Sequence, residues 1–184
     1  MAAARRLFAE RGFYGTSIAA IATELGLTKQ ALIHHFGTKE RLYGEVLAGV
    51  AAHLAGVVER ARASDPDPAR QLEALLLAVY EGLFVRPQNT QLMMRELLDN
   101  RARAEKARSW YMRDFLDALT AMARKAARVG ETEALARVYL IIGAMNYFVI
   151  SQPTLRQMYG KPGFAALKEQ APEEIRRLIR ASFS

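Results

Sequence analysis

The 184-residue sequence contains no cysteine, which excludes a disulfide framework, a thiolate nucleophile and a zinc site built on thiolates. Histidine is scarce too. His34 and His35 are adjacent and diverge on a helix, and His53 has no partner at metal-ligand spacing, so no metal site is expected. The chain shows no nucleophile paired with a base, no carboxylate pair and no phosphate-cradling glycine loop, so neither catalysis nor a cofactor is expected. No apolar run approaches the roughly 20 residues of a membrane span. The most apolar stretch of the C-terminal half, Tyr139 to Ile150, is bounded by Arg137 and by Ser151-Gln152-Pro153. The N-terminus lacks an apolar signal region with a cleavage site. Together with the missing cysteines this points to the cytoplasm and away from a membrane. Strand-like alternation is also absent, which makes the expected fold all-α.

What is present is a balanced, basic composition. Hydrophobic residues make up 51% and charged residues 24%, enough apolar surface for a packed core. Lys and Arg number 26 against 19 Asp and Glu, an excess that favours a polyanionic partner. Charge alone does not separate such a partner from a merely basic surface.

The stretch Gly12 to Leu47 decides between them. Thr16 and Ser17 are N-cap types ahead of a helical stripe of Ile18, Ile21, Ala22 and Leu25, and Gly26 stops that helix. Thr28 can cap a second short helix with Leu32 and Phe36 on one face. With Ile21, Leu25, Leu32 and Phe36 filling the apolar side, Lys29, Gln30 and Ile33 have no packing task. This is a helix-turn-helix that enters DNA. Ahead of it, Met1 to Arg11 forms an amphipathic helix with Leu7 and Phe8 inward, starting without a capping residue. After it, Thr38 caps a long helix through Leu42, Val46, Leu47, Val50, Leu54 and Val58 to about Ala63.

Asp65-Pro66-Asp67-Pro68 marks the clearest break, and a helix runs from Pro68 to about Val85. Arg86-Pro87-Gln88-Asn89 interrupts it. Thr90 to Asn100 and Ala102 to Arg128 read as two helices or one bent one, with the break between residues 100 and 110 left open. Thr132 to Ile150 is apolar nearly all round and must be buried on more than one side. Ser151 to Gly163 reads as a connection, and Pro172 starts a final helix. The expected architecture is an N-terminal helix-turn-helix domain of three helices, residues 1–46, joined by a long helix to a larger helical domain, residues 47–184.

Phe8 to Gly12 as F-A-E-R-G, then Gly15-Thr16-Ser17, Ile21-Ala22, Gly26-Leu27-Thr28, Phe36, Lys39-Glu40 and Leu42 resemble, in order and spacing, the DNA-binding domain of the TetR family of transcriptional regulators. The resemblance covers about the first quarter of the chain. It implies a homodimer that binds a double-stranded, palindromic DNA operator, most often as a repressor, under control of a small-molecule effector. Carried over by position, Thr16 or Ser17, Thr28 and Lys39 would hold phosphates, while Lys29, Gln30, Ala31 and His34 would lie at base edges. The family commonly has tyrosines at Ile33 and His35, and small residues at Gln30 and Ala31. Ile33 therefore exchanges a phosphate contact for an apolar one, whereas His35 can still donate.

For the larger domain the resemblance implies an effector pocket and a dimer interface. Met93, Met94, Leu97, Trp110, Tyr111, Phe115, Met145, Asn146 and Phe148 suit an apolar or aromatic effector, since Met and aromatics adapt to such ligands while isolated polar groups orient them. Leu135, Val138, Ile142, Gly143, Ile175, Leu178 and Ile179 are expected at the dimer interface. Two alternatives stand beside this: an effector-independent DNA-binding regulator or activator, and, more remotely, a helical small-molecule binding protein or enzyme with a vestigial helix-turn-helix.

Overall fold

The computed structural model describes residues 1–99 and 111–183. Among them every regular element is a helix: α1 (Ala2–Gly15), α2 (Ile18–Glu24), α3 (Lys29–Phe36), α4 (Lys39–Arg62), α5 (Pro68–Val85), α6 (Pro87–Asp99), α7 (Arg113–Ala127) and α8 (Glu131–Phe183). The fold is all-α, as expected. Trp110 and the break sought between residues 100 and 110 lie outside the described residues.

The helix boundaries follow from capping chemistry. Ser17, Thr28 and Thr38 accept the backbone N–H groups of Ala20, Ala31 and Arg41 at 3.0, 3.1 and 3.1 Å, each closing a first turn whose donors would otherwise be unpaired. Asp67 accepts from the Ala69 N–H at 3.0 Å ahead of α5. Gly12 takes φ +71° within α1, so its first helical run ends at the predicted glycine and a short second run carries on to Gly15. Three departures concern proline and glycine. Pro87 lies inside the first turn of α6 instead of in a linker, where its missing N–H costs nothing. The stretch 151–163 is helical except at Gly160, whose φ of +68° kinks α8 into two arms. Pro162 falls in the first turn of the second arm, whereas Pro153 and Pro172 sit inside their arms, each forgoing a bond to the carbonyl four residues back.

The chain forms two compact units, Met1–Ala52 with residues 86–99 and 111, and His53–Val85 with residues 112–183. The first differs from a single cut after residue 46, because α6 packs with α1. Arg5 donates to Asn89 at 3.4 Å, Arg95 to the Glu10 carbonyl at 2.9 Å, and the Tyr43 hydroxyl to Glu96 at 2.6 Å. The interior holds Leu7, Phe8, Phe13, Ile21, Leu32, Leu42, Tyr43, Val46 and Leu92. Tyr43 is its aromatic centre, edge-on to Phe8 at 4.8 Å and to Phe13 at 5.1 Å.

In the second unit α5, α7 and α8 enclose a core built on Leu72, Leu75, Leu76, Phe115, Leu119, Val138, Ile141, Met145 and Ile179. Its second α8 arm is pinned by Arg180, which reaches both carboxylate oxygens of Glu73 at 2.9 and 3.0 Å. The first arm is tied to the C-terminus by Arg137, which donates to the Ser182 carbonyl. By length and apolar composition alone α4 and α8 would each pass as a membrane-crossing helix, a test that the core helix of a folded protein also passes. The sequence placed a boundary at Ser151 to Pro153, and the helix runs on through it. In α4 the apolar side chains Leu42, Val46, Leu47, Val50, Val57 and Val58 are buried in protein.

Candidate nucleic-acid interface

The turn between α2 and α3 is built by backbone chemistry. Gly26 has φ +66°, its N–H donates to the Thr23 carbonyl at 3.1 Å, and the Leu27 N–H reaches back to Ala22 at 2.9 Å. This paired closure uses the last carbonyls of α2 and reverses the chain at a residue without Cβ. Leu25, expected in the apolar face, is 41% exposed, because α2 ends at Glu24 and Leu25 belongs to the turn. Arg6 braces the outside of the motif by pairing with Glu24 and with Glu10, and the hydrogen bond to Glu24 raises its pKa above the ordinary guanidinium value.

On α3 the only fully buried side chain is Leu32, with Phe36 half-buried and edge-on to His35 at 4.4 Å. Lys29, Gln30, Ala31, Ile33, His34 and His35 are all exposed, Ile33 at 40%. The helix therefore presents a continuous outer surface of donors, one cation and one branched apolar side chain. Base edges in a major groove can be met by such a set.

The expected phosphate contacts divide. Ser17 and Thr28 are exposed, and each uses its oxygen as a cap acceptor, leaving the hydroxyl hydrogen to donate outward. Thr16 is only 1% exposed, and its hydroxyl is directed at the carbonyls of Gly12 at 2.8 Å and Leu7 at 3.1 Å. It is a structural clamp on the end of α1, so of the two candidates Ser17 is the one at the surface. Lys39 is half-buried, with its ammonium 3.1 Å from the Phe13 carbonyl and 4.3 Å from the centre of the Phe13 ring. That placement ties α4 to α1 and leaves its remaining N–H groups for an anion. Arg41, one turn into α4 and exposed, was not singled out from the sequence. Its place in the first turn after a capping threonine was the available signal.

The other candidates fall in different places. Met93, Met94 and the exposed Leu97 lie on α6 in the first unit, and Tyr111 belongs to the same unit. Tyr111 places its hydroxyl 2.6 Å from where a Cβ on Gly44 would stand. Phe115 and Met145 are core residues of the second unit, with Phe148 packed against them, and Asn146 donates to the Ile142 carbonyl at 2.8 Å. Of the interface candidates, Val138 and Ile179 are inside that core, Val138 on the stripe of Ala134, Val138, Ile141 and Met145 in the first α8 arm and Ile179 in the second arm. Leu135, Gly143 and Leu178 are exposed, while Ile142 and Ile175 are half-buried. A second stripe was missed: Leu140, Gly143, Tyr147 and Ile150 recur every three or four residues, and all four are exposed, Leu140 at 73% and Tyr147 at 76%. Its spacing was readable, but not which of two apolar stripes faced inward. Among the described residues no three His, Asp or Glu side chains converge as a metal site requires.

The profile that describes bacterial regulatory proteins of the tetR family matches residues 1–46. The HTH-type transcriptional repressor KstR2 of Rhodococcus jostii (strain RHA1) is 39% identical over 80 residues, 44% of this chain and 39% of that protein. The chain thus matches about two-fifths of that relative's length. The HTH-type transcriptional repressor NicS of Pseudomonas putida is 24% identical over 153 residues, 79% of this chain and 71% of that protein. Among solved structures, the ketosteroid transcriptional regulator KstR2 of Mycobacterium tuberculosis has a TM-score of 0.63 at 18% identity, covering 95% of this chain and 90% of that one. A TetR-like transcriptional regulator from Rhodococcus sp. RHA1 has a TM-score of 0.68 at 16% identity, covering 97% and 90%. The first 46 residues thus match the tetR family of bacterial regulatory proteins, and the fold along nearly the whole chain is similar to that of the solved TetR-like regulator.

Proposed function

We propose that the protein is a ligand-responsive transcriptional repressor that binds a palindromic DNA operator as a homodimer in the cytoplasm. One observation carries this: α3 is capped at its start by Thr28, anchored by Leu32, and exposes every other side chain from Lys29 to His35. Packing uses one face, and the other is free to read base edges. Gln30 can pair with adenine in a bidentate manner, Lys29 can reach guanine, and Ala31 and Ile33 suit thymine methyls. Ser17, Thr28, Arg41 and the free N–H groups of Lys39 supply phosphate contacts that fix the register.

One short helix reads few bases, so specificity calls for two of them on a two-fold axis, facing half-sites a helical turn of roughly 34 Å or a multiple apart. The exposed stripe Leu140, Gly143, Tyr147 and Ile150, with Leu135 and Leu178, supports an interface between copies. Gly143 has no atom within 4 Å of a built Cβ, so a second helix can approach it closely. Control is exerted from the second unit. An effector bound there acts through α4, which supplies Leu42 and Val46 to one interior and Val57 and Val58 to the other. By linkage, effector and operator weaken each other by the same factor.

Selection from fragmented genomic DNA tests the proposal. One palindromic motif is expected, with binding that falls steeply as salt rises, by about 0.9 log units in affinity per log unit of salt for each neutralised phosphate. Equal binding to every duplex would refute a specific repressor.

A further inference from the structure

Helix α5 turns Leu72, Leu75, Leu76, Val79 and Tyr80 into the core of the second unit. Tyr80 is 3% exposed, yet its hydroxyl has no hydrogen-bond partner among the described residues. Buried polar groups are paired in the great majority of cases, because an orphaned one forfeits its contacts with water. The polar side chains that share this unit's helices behave in the ordinary way. Thr120 donates to the Leu116 carbonyl at 2.7 Å, Asn146 to Ile142 at 2.8 Å and Ser151 to Phe148 at 3.2 Å. Their donors are satisfied within their own helices, and that of Tyr80 is not.

The surroundings describe what such a donor would meet. A row of rings leads outward from it: Tyr80 lies edge-on to Phe84 at 5.0 Å, and Phe84 lies 6.4 Å from Phe148. Both phenylalanines are half-buried, and the Lys168 ammonium stands 5.6 Å from the centre of the Phe84 ring. Among the described residues no buried member of this core carries a charge. Buried beside Tyr80, an ionised ligand group would lose its water with no charged side chain of that core to offset the loss, whereas a neutral acceptor needs only one donor. We infer that the second unit takes a largely apolar effector whose single neutral acceptor, a carbonyl oxygen, is held by the Tyr80 hydroxyl, with Phe84 and Phe148 against its apolar body. This rests on the ligand-responsive reading above and adds the class of ligand and its anchor.

The test uses the full chain and a pair of probes of one shape, 2-acetylnaphthalene with a carbonyl oxygen and 2-isopropenylnaphthalene with a methylene in its place. Equilibrium dialysis should show the wild-type protein holding the acetyl probe roughly 3- to 10-fold tighter, the value of one net hydrogen bond. Tyr80→Phe should bind the two equally, with a Tm no lower than wild type, since no protein partner is lost. Thr120→Val should retain the preference. Absence of binding by either probe, the same preference in Tyr80→Phe, or a lower Tm for that variant would overturn the inference. Release from the selected operator is followed in parallel. Release by both probes without any dependence on Tyr80 sinks the inference and leaves ligand control standing. Tyr80-dependent binding without release upholds the inference and removes ligand control.

Discussion

Gln30 and Thr16 lie 14 positions apart in one motif and are expected to fail in opposite ways. Gln30 is exposed on α3 and holds nothing in place, so Gln30→Ala should leave thermal unfolding unchanged while weakening the selected operator by about 1–3 kcal/mol and relaxing specificity at one base pair. Fluorescence anisotropy against operator variants measures both effects. Arg41→Ala, at a position proposed to hold a phosphate, should weaken all duplexes alike and lower the salt slope by about one unit. Thr16→Val removes a hydroxyl held between two carbonyls, so it should cost about 1 kcal/mol of stability and touch DNA binding only through folding. The sequence showed two N-cap types side by side, and the local pattern could not rank them. What decides is the chain path at Gly12, which brings residue 16 back over the end of α1 and leaves only Ser17 at the cap. Tyr80 adds a prediction in pH. Burial raises its pKa above the ordinary tyrosine value, so the folded protein keeps a proton that the unfolded chain loses. Its contribution is intact below the unfolded pKa of about 10 and is lost as pH rises through the folded value. The alkaline fall in unfolding free energy should therefore be shallower in Tyr80→Phe than in wild type.

Among the elements, α4 offers a comparison between two glycines in one helix. A Cβ at Gly49 would find its nearest neighbour, an Arg5 nitrogen, at 3.9 Å, an ordinary contact. Gly49→Ala should therefore stabilise the protein by about 0.5–1 kcal/mol, the helix-propensity difference, as read by urea unfolding. At Gly44 the Tyr111 hydroxyl stands at 2.6 Å, so the ring must swing aside and Gly44→Ala should gain less than Gly49→Ala or lose. The starts of α2, α3, α4 and α5 were legible because Ser17, Thr28, Thr38 and Asp67 are local chemistry. Later boundaries were less so. Proline was read as interrupting helix at residues 87, 153 and 162 and as starting a new one at residue 172, yet Pro87 and Pro162 occupy first turns, and the core contacts of Ala171, Ile175 and Ile179 hold the arm together across Pro172. Tertiary burial there outweighs a local cost of about 3 kcal/mol. The docking of α6 on α1 was equally hidden. It depends on pairs such as Arg5 with Asn89 and Tyr43 with Glu96, separated by 84 and 53 positions, which periodicity does not connect.

At the scale of the whole molecule the outer stripe of α8 is where the proposed dimer would bring two copies together. The inward stripe of Ala134, Val138, Ile141 and Met145 and the outward stripe of Leu140, Gly143, Tyr147 and Ile150 share the same spacing of three and four. The near-total apolarity of this helix announced two buried faces without saying which belonged to the monomer. Substitution separates them. Val138→Ala should leave a cavity and cost stability in the range of a large-to-small core change, about 1–3 kcal/mol, in any oligomeric state. Leu140→Glu and Tyr147→Glu alter side chains that a single chain leaves 73% and 76% exposed, so the helical signal in circular dichroism should be preserved. On a two-fold interface each substitution places its carboxylate twice in one desolvated seam, and charge without a partner there is strongly unfavourable. Sedimentation velocity should therefore show a dimer for the wild type and a monomer for either variant. Operator affinity should fall with it, because each half-site then binds independently and loses the effective concentration supplied by its tethered twin. Binding to an isolated half-site should be unchanged, since α3 is untouched. A variant that stays dimeric and keeps full operator affinity would move the interface away from this stripe.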